Sequence, residues 1–409
     1  MRVVILGINY LPEPIGIGPY TAGMASSLVD AGHQVHVICA KPYYPRWEIS
    51  PEYFGFRMAK SVEAGVNVLR LPLYVPRRPT GKLRMLHHLS FAMIALPAML
   101  AVAIRRQPHV IMAIAPSLLS AVVAQIVARI VGARFWLHIQ DFEVDAAVAT
   151  GLLRKRGLLF RIARRIEVIA LRGDRLSAIS PQMCSRLTER GVQASQIVEL
   201  RNWAAFDDEP RGECQSDAAT YRQAWQLQDA HVALYSGNIA NKQGLEIIVA
   251  AARELRHRRD LIFVICGEGP HRDQLIASAS DLPNIQFRPL QPSQRLGELM
   301  ALASVHLLPQ IAEAADLLLP SKLTNMLASS RPVIATAKSG TGLALEIEGC
   351  GVVVPPGDHV AFASAIGTLL DDPVLRKLFG DRAGKRARDH WNSKAILSRF
   401  ERQLRDLAA

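Results

Sequence analysis

The sequence predicts an α/β fold in which two doubly wound parallel-sheet domains face each other across a cleft. Its 409 residues exceed what one hydrophobic core usually supports, so we expect two domains of roughly 200 residues. Short runs rich in Val and Ile alternate with longer stretches of helical period, as in a parallel sheet covered by helices on both faces. The alternation stops near Leu200 and restarts at His231, which divides the chain into two similar Rossmann-like halves.

The same alternation gives the domain boundaries and strands. Residues 1–200 are the expected N-terminal domain, 201–230 a connection, 231–390 the second domain, and 391–409 a C-terminal helix able to return to the first domain. Ligands in such folds lie beyond the carboxyl ends of the strands, so functional residues should follow them. Strands are expected at 2–8, 33–40, 109–115, 133–139 and 174–180, then at 231–237, 261–267, 284–290, 304–309, 331–336 and 351–356.

Composition and charge narrow the class of protein. With 50% hydrophobic and 21% charged residues, the chain is globular rather than disordered. Five scattered cysteines without a CxxC pair favour a reducing compartment and argue against a zinc site. The apolar N-terminal run is too short for a signal peptide, so we expect a cytoplasmic protein. The first 200 residues hold 24 Lys and Arg against 12 Asp and Glu, which favours an anionic surface as a partner.

Two segments of the first domain favour contact with a membrane. Residues 85–104 carry no Asp, Glu, Lys or Arg, but two histidines, a serine and Pro97 interrupt them, so we expect a peripheral or partly inserted helix. Residues 151–175 are a basic amphipathic stretch that suits anionic lipid, although a solvated helix face would give either pattern. Nucleic acid is not expected, because no recognition motif is present. The predicted membrane-facing residues are Arg77, Arg78, Lys82, Arg84, Arg154, Lys155, Arg156, Arg161, Arg164 and Arg165.

Glycines follow the first strand of the chain. Gly16 and Gly18 let the backbone approach a phosphate or a sugar, and a structural turn explains them equally well. A GxGxxG fingerprint is excluded because residue 21 is threonine.

The first loop of the second domain favours a diphosphate. The stretch SGNIANKQGLE, residues 236–246, offers backbone donors and one point charge, and it does not match a Walker A motif. One strand later, Glu268 in CGEGP could accept hydrogen bonds from a nucleoside or complement a helix dipole. The candidate binding residues in these two loops are Asn238, Lys242, Gly244 and Glu268.

One first-domain loop concentrates acid–base groups. HIQDFEVD, residues 138–145, places a histidine and three carboxylates directly after an apolar strand. This loop is the strongest catalytic candidate in the chain, against the alternative of ordinary loop acids and a core histidine.

The stretch PSK, residues 320–322, precedes an apolar helix. The start of a helix disfavours a cation unless an anion is bound nearby. We therefore expect Ser321 and Lys322 to bind a phosphate or sugar oxygen, whereas in the alternative Lys322 extends along apolar surface into solvent.

Together these loops resemble the GT-B glycosyltransferases of glycosyltransferase family 4. The strings GINY..PE..GIG, PYYP, LHIQDFEVDA, LYSGN...KQGLE and ADLLLPSKLTNMLA carry the likeness, in that order, from the first strand to at least Thr336. Within the family they look most like transferases of colanic-acid and O-antigen biosynthesis, including fucosyltransferases.

The resemblance implies a reaction and its partners. It implies metal-independent, retaining transfer of a sugar, L-fucose or a related deoxy or amino sugar, from a GDP- or UDP-linked nucleotide sugar, without a cofactor. The expected acceptor is a glycan on a polyprenyl diphosphate, used for exopolysaccharide or O-antigen. The expected location is the cytoplasmic face of the inner membrane, peripherally associated. A nucleotide-sugar epimerase of the same fold and a non-catalytic polysaccharide-assembly partner stay open as alternatives.

The resemblance also implies which residues bind the donor. The second domain would hold the nucleotide, with Lys242 neutralising the diphosphate and with Glu268 and Leu290 near the base. The two glycines of the first loop would close over the donor. The family's usual arginine in the second-domain loop is Asn238 here, which leaves Lys242 as the main local cation for phosphate.

For catalysis, the resemblance implies that His138 contacts the donor sugar and that Asp141 partners the acceptor hydroxyl. The family's pair of glutamates, seven residues apart, is missing: its positions are occupied by Leu317 and Asn325. Asn325 can still hydrogen-bond ribose hydroxyls, and the neighbouring Asp316 is the acid available in place of the first glutamate.

Overall fold

The structure, a computed structural model, has the α/β architecture that the sequence predicts. It describes residues 1–13, 16–149, 153, 157–204, 213–240, 243–311 and 322–409. Residues Met1–Arg201 with Lys394–Ala409 form one compact unit, and Asn202–Ser393 form the other. The described strands are β1 Arg2–Gly7, β2 Gln34–Ala40, β3 Ala59–Glu63, β4 Val66–Leu71, β5 Val110–Ala115, β6 Arg134–Ile139, β7 Arg175–Ala178, β8 Ile197–Glu199, β9 His231–Ser236, β10 Leu261–Cys266, β11 Ile285–Arg288, β12 Val305–Leu308, β13 Val333–Thr336 and β14 Gly351–Val354.

Helices follow most of these strands. The described helices are α1 Gly18–Asp30, α2 Gly81–Arg106, α3 Leu118–Val131, α4 Glu143–Ala149, α5 Leu158–Ala170, α6 Pro181–Glu189, α7 Glu213–Ala224, α8 Glu246–Glu254, α9 Arg272–Ser278, α10 Leu296–Ala301, α11 Lys322–Ala328, α12 Gly342–Ile347, α13 His359–Asp371, α14 Pro373–Trp391 and α15 Ser393–Ala408.

The sheet of the first unit has the order β3-β4-β2-β1-β5-β6-β7-β8. Its central strands are apolar throughout because helices cover both faces; all six residues of β5 are buried. The β3–β4 hairpin, antiparallel in register from Ala59 opposite Arg70 to Glu63 opposite Val66, was not predicted. Its outer strand reads AKSVE and alternates half-buried with exposed residues, so it lacks the apolar run that marks the predicted strands.

The sheet of the second unit has the order β11-β10-β9-β12-β13-β14, and its described pairings are all parallel. One face is covered by α8 and α13, and Phe263, Ile248 and Phe362 lie in that core. The opposite face packs against Trp225 and Trp391. Aromatic and branched side chains therefore fill both faces of the sheet, as expected for a doubly wound domain.

Each sheet has one point at which the strand order reverses direction. In the first unit this point lies between β1 and β5, and in the second between β9 and β12. Open α/β sheets bind ligands beyond the carboxyl ends of the strands at such points. A ligand-binding site is therefore expected in the loops that follow these four strands.

Candidate functional site

In the second unit, the loops that follow β9 and β10 meet through their backbones. Ile239 N donates to Glu268 O at 2.8 Å. A Cβ at Gly267 would lie 1.9 Å from Gly237 O, and one at Gly269 would lie 2.1 Å from Ile239 O. Only glycine fits at such distances, so the loops come this close because both glycines lack side chains.

The Lys322 ammonium lies against the first of these loops. Its Nζ donates to Tyr235 Oη at 2.5 Å and lies 4.3 Å from the centre of that ring. A Cβ at Gly237, whose φ is +143°, would lie 2.3 Å from Lys322 Cε and 2.5 Å from Nζ. The structure thus brings Lys322 to the SGN stretch, and both were predicted to bind the same donor.

Other predicted donor residues surround this contact. Asn238 is exposed, and its carbonyl accepts from Tyr235 Oη at 2.6 Å. Gly244, at φ +61°, packs its backbone against Ile311 beyond β12, where a Cβ would lie 3.1 Å from Cγ2. Asn325 lies one turn after Lys322 on α11, so the two side chains leave the same face of the helix.

Glu268 and Leu290 lie farther out on the same loops. The Glu268 carboxylate is 58% exposed, and its Oε2 lies 3.9 Å from Arg272 Nε. Leu290, just beyond β11, is also exposed. Both side chains are accessible to a ligand, and their proximity to a base stays a prediction. The predicted residues Lys242, Asp316 and Ser321 lie outside the described residues.

In the first unit, His138 lies buried at the end of β6. Its Nδ1 is 2.9 Å from Ser177 Oγ, and its Nε2 is 2.9 Å from Gln140 Nε2. With the Gln140 amide nitrogen as donor, Nε2 accepts and Nδ1 carries the proton. Trp136 Nε1 also donates to Ser177 Oγ, at 2.8 Å. Burial lowers the His138 pKa to about 3, so the ring is neutral, and its contact with a sugar stays a prediction.

The next residues of that loop form a carboxyl–imidazole contact. Glu143, at the start of α4, accepts from Leu118 N at 3.0 Å through Oε2, and its Oε1 lies 3.7 Å from His88 Nε2. Burial, with a smaller contribution from the Asp141 charge, raises the Glu143 pKa to about 7. Burial lowers the His88 pKa to about 3. Because 31% of the Glu143 side chain is exposed, its proton can exchange with solvent near neutral pH.

Sequence reasoning identified the loop of Glu143 but missed its partner. His88 was treated as an interruption of an apolar segment, and no local signal joins it to an acid on another helix.

A buried glutamate in the first loop was missed too. Glu13 Oε1 accepts from the backbone nitrogens of Tyr43 and Tyr44 at 3.1 and 3.0 Å, while Asn9 donates to Oε2 at 2.8 Å. Burial raises the Glu13 pKa.

Gly16 and Gly18 lie beside this glutamate. A Cβ at Gly16, where φ is +82°, would lie 3.3 Å from the Tyr44 ring, and a Cβ at Gly18 would lie 3.1 Å from Tyr10 O. Packing within the first unit therefore accounts for both glycines. Their predicted contact with a donor stays a prediction.

One residue of the predicted membrane-facing set, Arg164, has acidic partners within the unit. Arg164 forms ion pairs with Asp145, at 2.6 Å, and with Glu167, and Arg190 binds the same two carboxylates. Arg190 also lies 4.2 Å from the centre of the Phe142 ring. The Arg164 charge is thus paired inside the unit, and Asp145, one of the three carboxylates of the HIQDFEVD stretch, has structural partners.

The other described basic residues of that set are exposed beside an apolar face. Helix α3 contacts both α2 and α5, so the three helices form one surface. Exposed basic side chains lie on or just before α2 and on α5: Arg77, Arg78, Lys82, Arg84, Arg161 and Arg165. Arg154, Lys155 and Arg156 lie outside the described residues. The apolar face comprises Met85, Leu86, Leu89 and Met93 of α2, Ile126 and Ile130 of α3, and Leu158, Leu159, Ile162, Val168 and Ile169 of α5.

Helix α2 is long enough and apolar enough to cross a membrane. Among the described helices it is the one with this length and composition. In its most apolar window, 39% of the residues are buried in the unit. Phe91, Ala95 and Met99 pack into the core, whereas Met93 is 67% exposed. The helix is therefore two-sided, with one face in the core and one apolar face left open.

The residue ranges given above contain no cluster of side chains that could bind a metal ion. Among those residues, no group of three or more His, Cys, Asp or Glu side chains is arranged to hold an ion.

Comparison with known proteins gives two adjoining family matches. Residues 16–203 match the family model described as a glycosyl transferase 4-like domain, and residues 230–372 match the one described as glycosyl transferases group 1. The colanic acid biosynthesis glycosyl transferase WcaI of Escherichia coli (strain K12) is 38% identical over 375 residues, covering 90% of this chain and 91% of that protein.

Solved structures share the two-sheet architecture. Sucrose-phosphate synthase of Thermosynechococcus elongatus gives a TM-score of 0.72 at 17% identity, covering 100% of this chain and 99% of the other. HepE of Anabaena, solved in complex with UDP, gives a TM-score of 0.67 at 15% identity, covering 99% and 100%. At these identities the likeness shows the GT-B fold alone.

Proposed function

Because the chain belongs to the family 4 glycosyltransferases, we propose that it transfers a sugar from a nucleotide-diphospho-sugar to a polyprenyl-diphosphate-linked glycan. The name of WcaI supports an exopolysaccharide of the colanic-acid type as the product. L-Fucose, or a related deoxy or amino sugar, is the proposed group, transferred with retention and without a metal. The proposed carrier is uridine or guanosine diphosphate, and the UDP bound by HepE supports the first of these.

One observation carries the donor part of this proposal: the Lys322 ammonium lies against the loop that begins at Gly237. Transfer forms a bond between an acceptor oxygen and the anomeric carbon and breaks the bond from that carbon to the diphosphate. The electron pair leaves with the diphosphate, so a fixed cation there stabilises the transition state. Such a contact is worth roughly 2–4 kcal/mol in a site with little water.

The acceptor hydroxyl also has to lose a proton, and the first unit holds the groups for it. Asp141 is the predicted partner of the hydroxyl, and Glu143 beside it has a pKa of about 7. A carboxyl whose pKa is close to the working pH can take up a proton in one step and release it in the next. We therefore add Glu143 to Asp141 as a candidate proton acceptor.

A lipid-linked acceptor needs contact with a membrane, and the apolar face supports it. Exposed apolar side chains on three adjacent helices, accompanied by exposed arginines and a lysine, have the chemistry of a surface that lies on anionic lipid. We propose peripheral attachment at the cytoplasmic side of the inner membrane through this face.

The transfer reaction is tested with purified protein and a panel of UDP- and GDP-sugars. We expect slow release of nucleoside diphosphate from one donor and faster release when a lipid-linked glycan is added. An epimerised nucleotide sugar would identify the protein as an epimerase and contradict the proposal. Absence of turnover with every donor would favour a non-catalytic role in polysaccharide assembly.

The membrane part is tested by sedimentation with liposomes. Wild-type protein should sediment with anionic vesicles at low salt and be released by high salt, because screening weakens the attraction of its exposed charges. Met93→Asp should reduce binding about tenfold, by removing apolar contact and adding repulsion. Val374→Asp, at a 77% exposed position in the second unit, is the matched control and should bind normally. Equal binding by both variants would contradict the proposed surface.

A further inference from the structure

Tyr235 is the side chain that meets Lys322 inside the second unit. It is the penultimate residue of β9 and is fully buried. Its hydroxyl donates to Asn238 O at 2.6 Å and accepts from Lys322 Nζ at 2.5 Å. A phenol has one proton and two lone pairs, so both hydrogen bonds form at once.

The first hydrogen bond fixes the direction of the second. Because the proton points to the Asn238 carbonyl, at the start of the loop, a lone pair of the oxygen is left to face the ammonium. The same Nζ is 4.3 Å from the ring centre, so the ammonium also lies close to the aromatic ring. Tyr235 therefore defines both the distance and the direction of Lys322.

The hydroxyl also stays neutral. Burial raises the pKa of Tyr235 well above its ordinary value, so at neutral pH the group carries its proton. A phenolate would cancel the lysine charge, whereas a neutral hydroxyl positions the ammonium without offsetting its charge. A lysine stem is flexible, so a fixed partner reduces the ordering that ligand binding would otherwise require.

We propose that Tyr235 is a positioning residue for the donor's diphosphate, which it serves by holding the Lys322 ammonium over the loop that begins at Gly237. This inference rests on the proposed function, because it takes the ligand of Lys322 to be a nucleoside diphosphate. It predicts that the Tyr235 hydroxyl affects binding only through the lysine charge.

The test is a double-mutant cycle on the full-length protein, with UDP and GDP titrated by calorimetry. The variants are Tyr235→Phe, Lys322→Met and the two combined, since methionine keeps an apolar stem against the ring. Lys322→Met should weaken binding of the preferred nucleotide about 30-fold or more, and Tyr235→Phe about tenfold, which is the range of a hydrogen bond to a charged group. In the Lys322→Met background, Tyr235→Phe should have no further effect.

Two readouts separate positioning from a merely structural role. Tyr221→Phe, which removes the hydroxyl of another buried tyrosine in the same unit, should bind like the wild type. Binding of the nucleoside without phosphates should be equal in all variants, because the lysine acts on phosphate charge.

The possible results distinguish a failure of this inference from a failure of the proposed function. If Tyr235→Phe costs the same factor with and without Lys322, or costs nothing in the wild-type background, the inference is wrong while the proposed function stands. If wild type binds neither UDP nor GDP, or Lys322→Met binds like the wild type, the donor site of the proposed function fails as well.

Discussion

In the second unit, the loops after β9 and β10 touch through backbone atoms, with glycines at the contacts and one lysine added from α11. In the first unit, loops at the carboxyl end of the sheet are joined by side chains: Glu13 binds the loop after β2, and Glu143, which follows β6, binds the start of α3. The first arrangement places a cation against the loops. The second buries carboxyls and shifts their pKa values upward.

The difference matches two chemical tasks. Backbone donors and a fixed ammonium suit a doubly charged leaving group, whose binding depends on close approach. Carboxyls whose pKa values are raised towards neutrality suit proton transfer from a hydroxyl. Substitutions that act on one arrangement at a time therefore test whether the two arrangements serve these different tasks.

The largest effect is expected at Gly237. Gly237→Ala places a Cβ against Lys322 Cε and forces alanine to a φ of +143°, so the ammonium has to leave its position. We expect nucleoside diphosphate binding to fall about 100-fold and stability to fall by about 1–3 kcal/mol. Gly357→Ala is the control, since its φ is +85° but nothing lies within 4 Å of the added Cβ. It should lose about 1 kcal/mol of stability and none of the binding; an equal binding loss would assign the effect to strain alone.

A smaller, pH-dependent effect is expected at Glu143. Its folded pKa of about 7 exceeds the ordinary glutamate pKa of 4.5, so stability is fully present below the lower value and falls as pH rises towards 7. Glu143→Gln cannot titrate but still accepts from Leu118 N, so between pH 4.5 and 8 it should gain about 2 kcal/mol relative to the wild type. Denaturant unfolding at several pH values measures this.

The Glu143→Gln variant should also lose sugar transfer while keeping nucleoside diphosphate binding. Asp145→Asn is the matched control on the same helix; it breaks ion pairs with Arg164 and Arg190 and should lack the gain. An equal gain in stability by both variants, or sugar transfer at the wild-type rate by Glu143→Gln, would show that Glu143 is not the proton acceptor.

The smallest effect compares two buried histidines. His138 in the first unit and His306 in the second each lie 2.9 Å from a serine hydroxyl, and burial lowers both pKa values to about 3. Ser177→Ala and Ser329→Ala should each cost about 1 kcal/mol of stability, measured by thermal unfolding. If His138 contacts the donor sugar, Ser177→Ala should additionally lower turnover. Equal turnover in the two variants would favour a structural role for His138.

The fold was predictable because parallel strands buried on both faces are continuous apolar runs. The HVIMAIA run gave β5 to within a residue. The β3–β4 hairpin was not predicted, because its outer strand, AKSVE, lies at the edge of the sheet and needs no apolar run. The spacing of apolar residues reflects which residues are buried, and a strand at the edge of a sheet has few buried residues.

The sequence offers candidate site residues where a loop has a local motif, but it does not reveal contacts between distant residues. The SGN and PSK stretches were each assigned to a donor from their own chemistry, yet the contact of Lys322 with Tyr235 and Gly237 depends on packing. His88 and Glu143 lie on different helices, and Arg164 has acidic partners that charge counting cannot reveal. Tertiary contacts decide which charged residues are already paired and which are available to a ligand.

The most direct test of the account is nucleoside diphosphate release from the preferred sugar donor by wild type and Lys322→Met. Lys377→Met is the control, because that lysine is 77% exposed on α14 and pairs with Asp381. The account predicts that Lys322→Met lowers turnover about 100-fold, as loss of a charge at the leaving group should, and that the control stays within about twofold of the wild type. Wild-type turnover by Lys322→Met would contradict it.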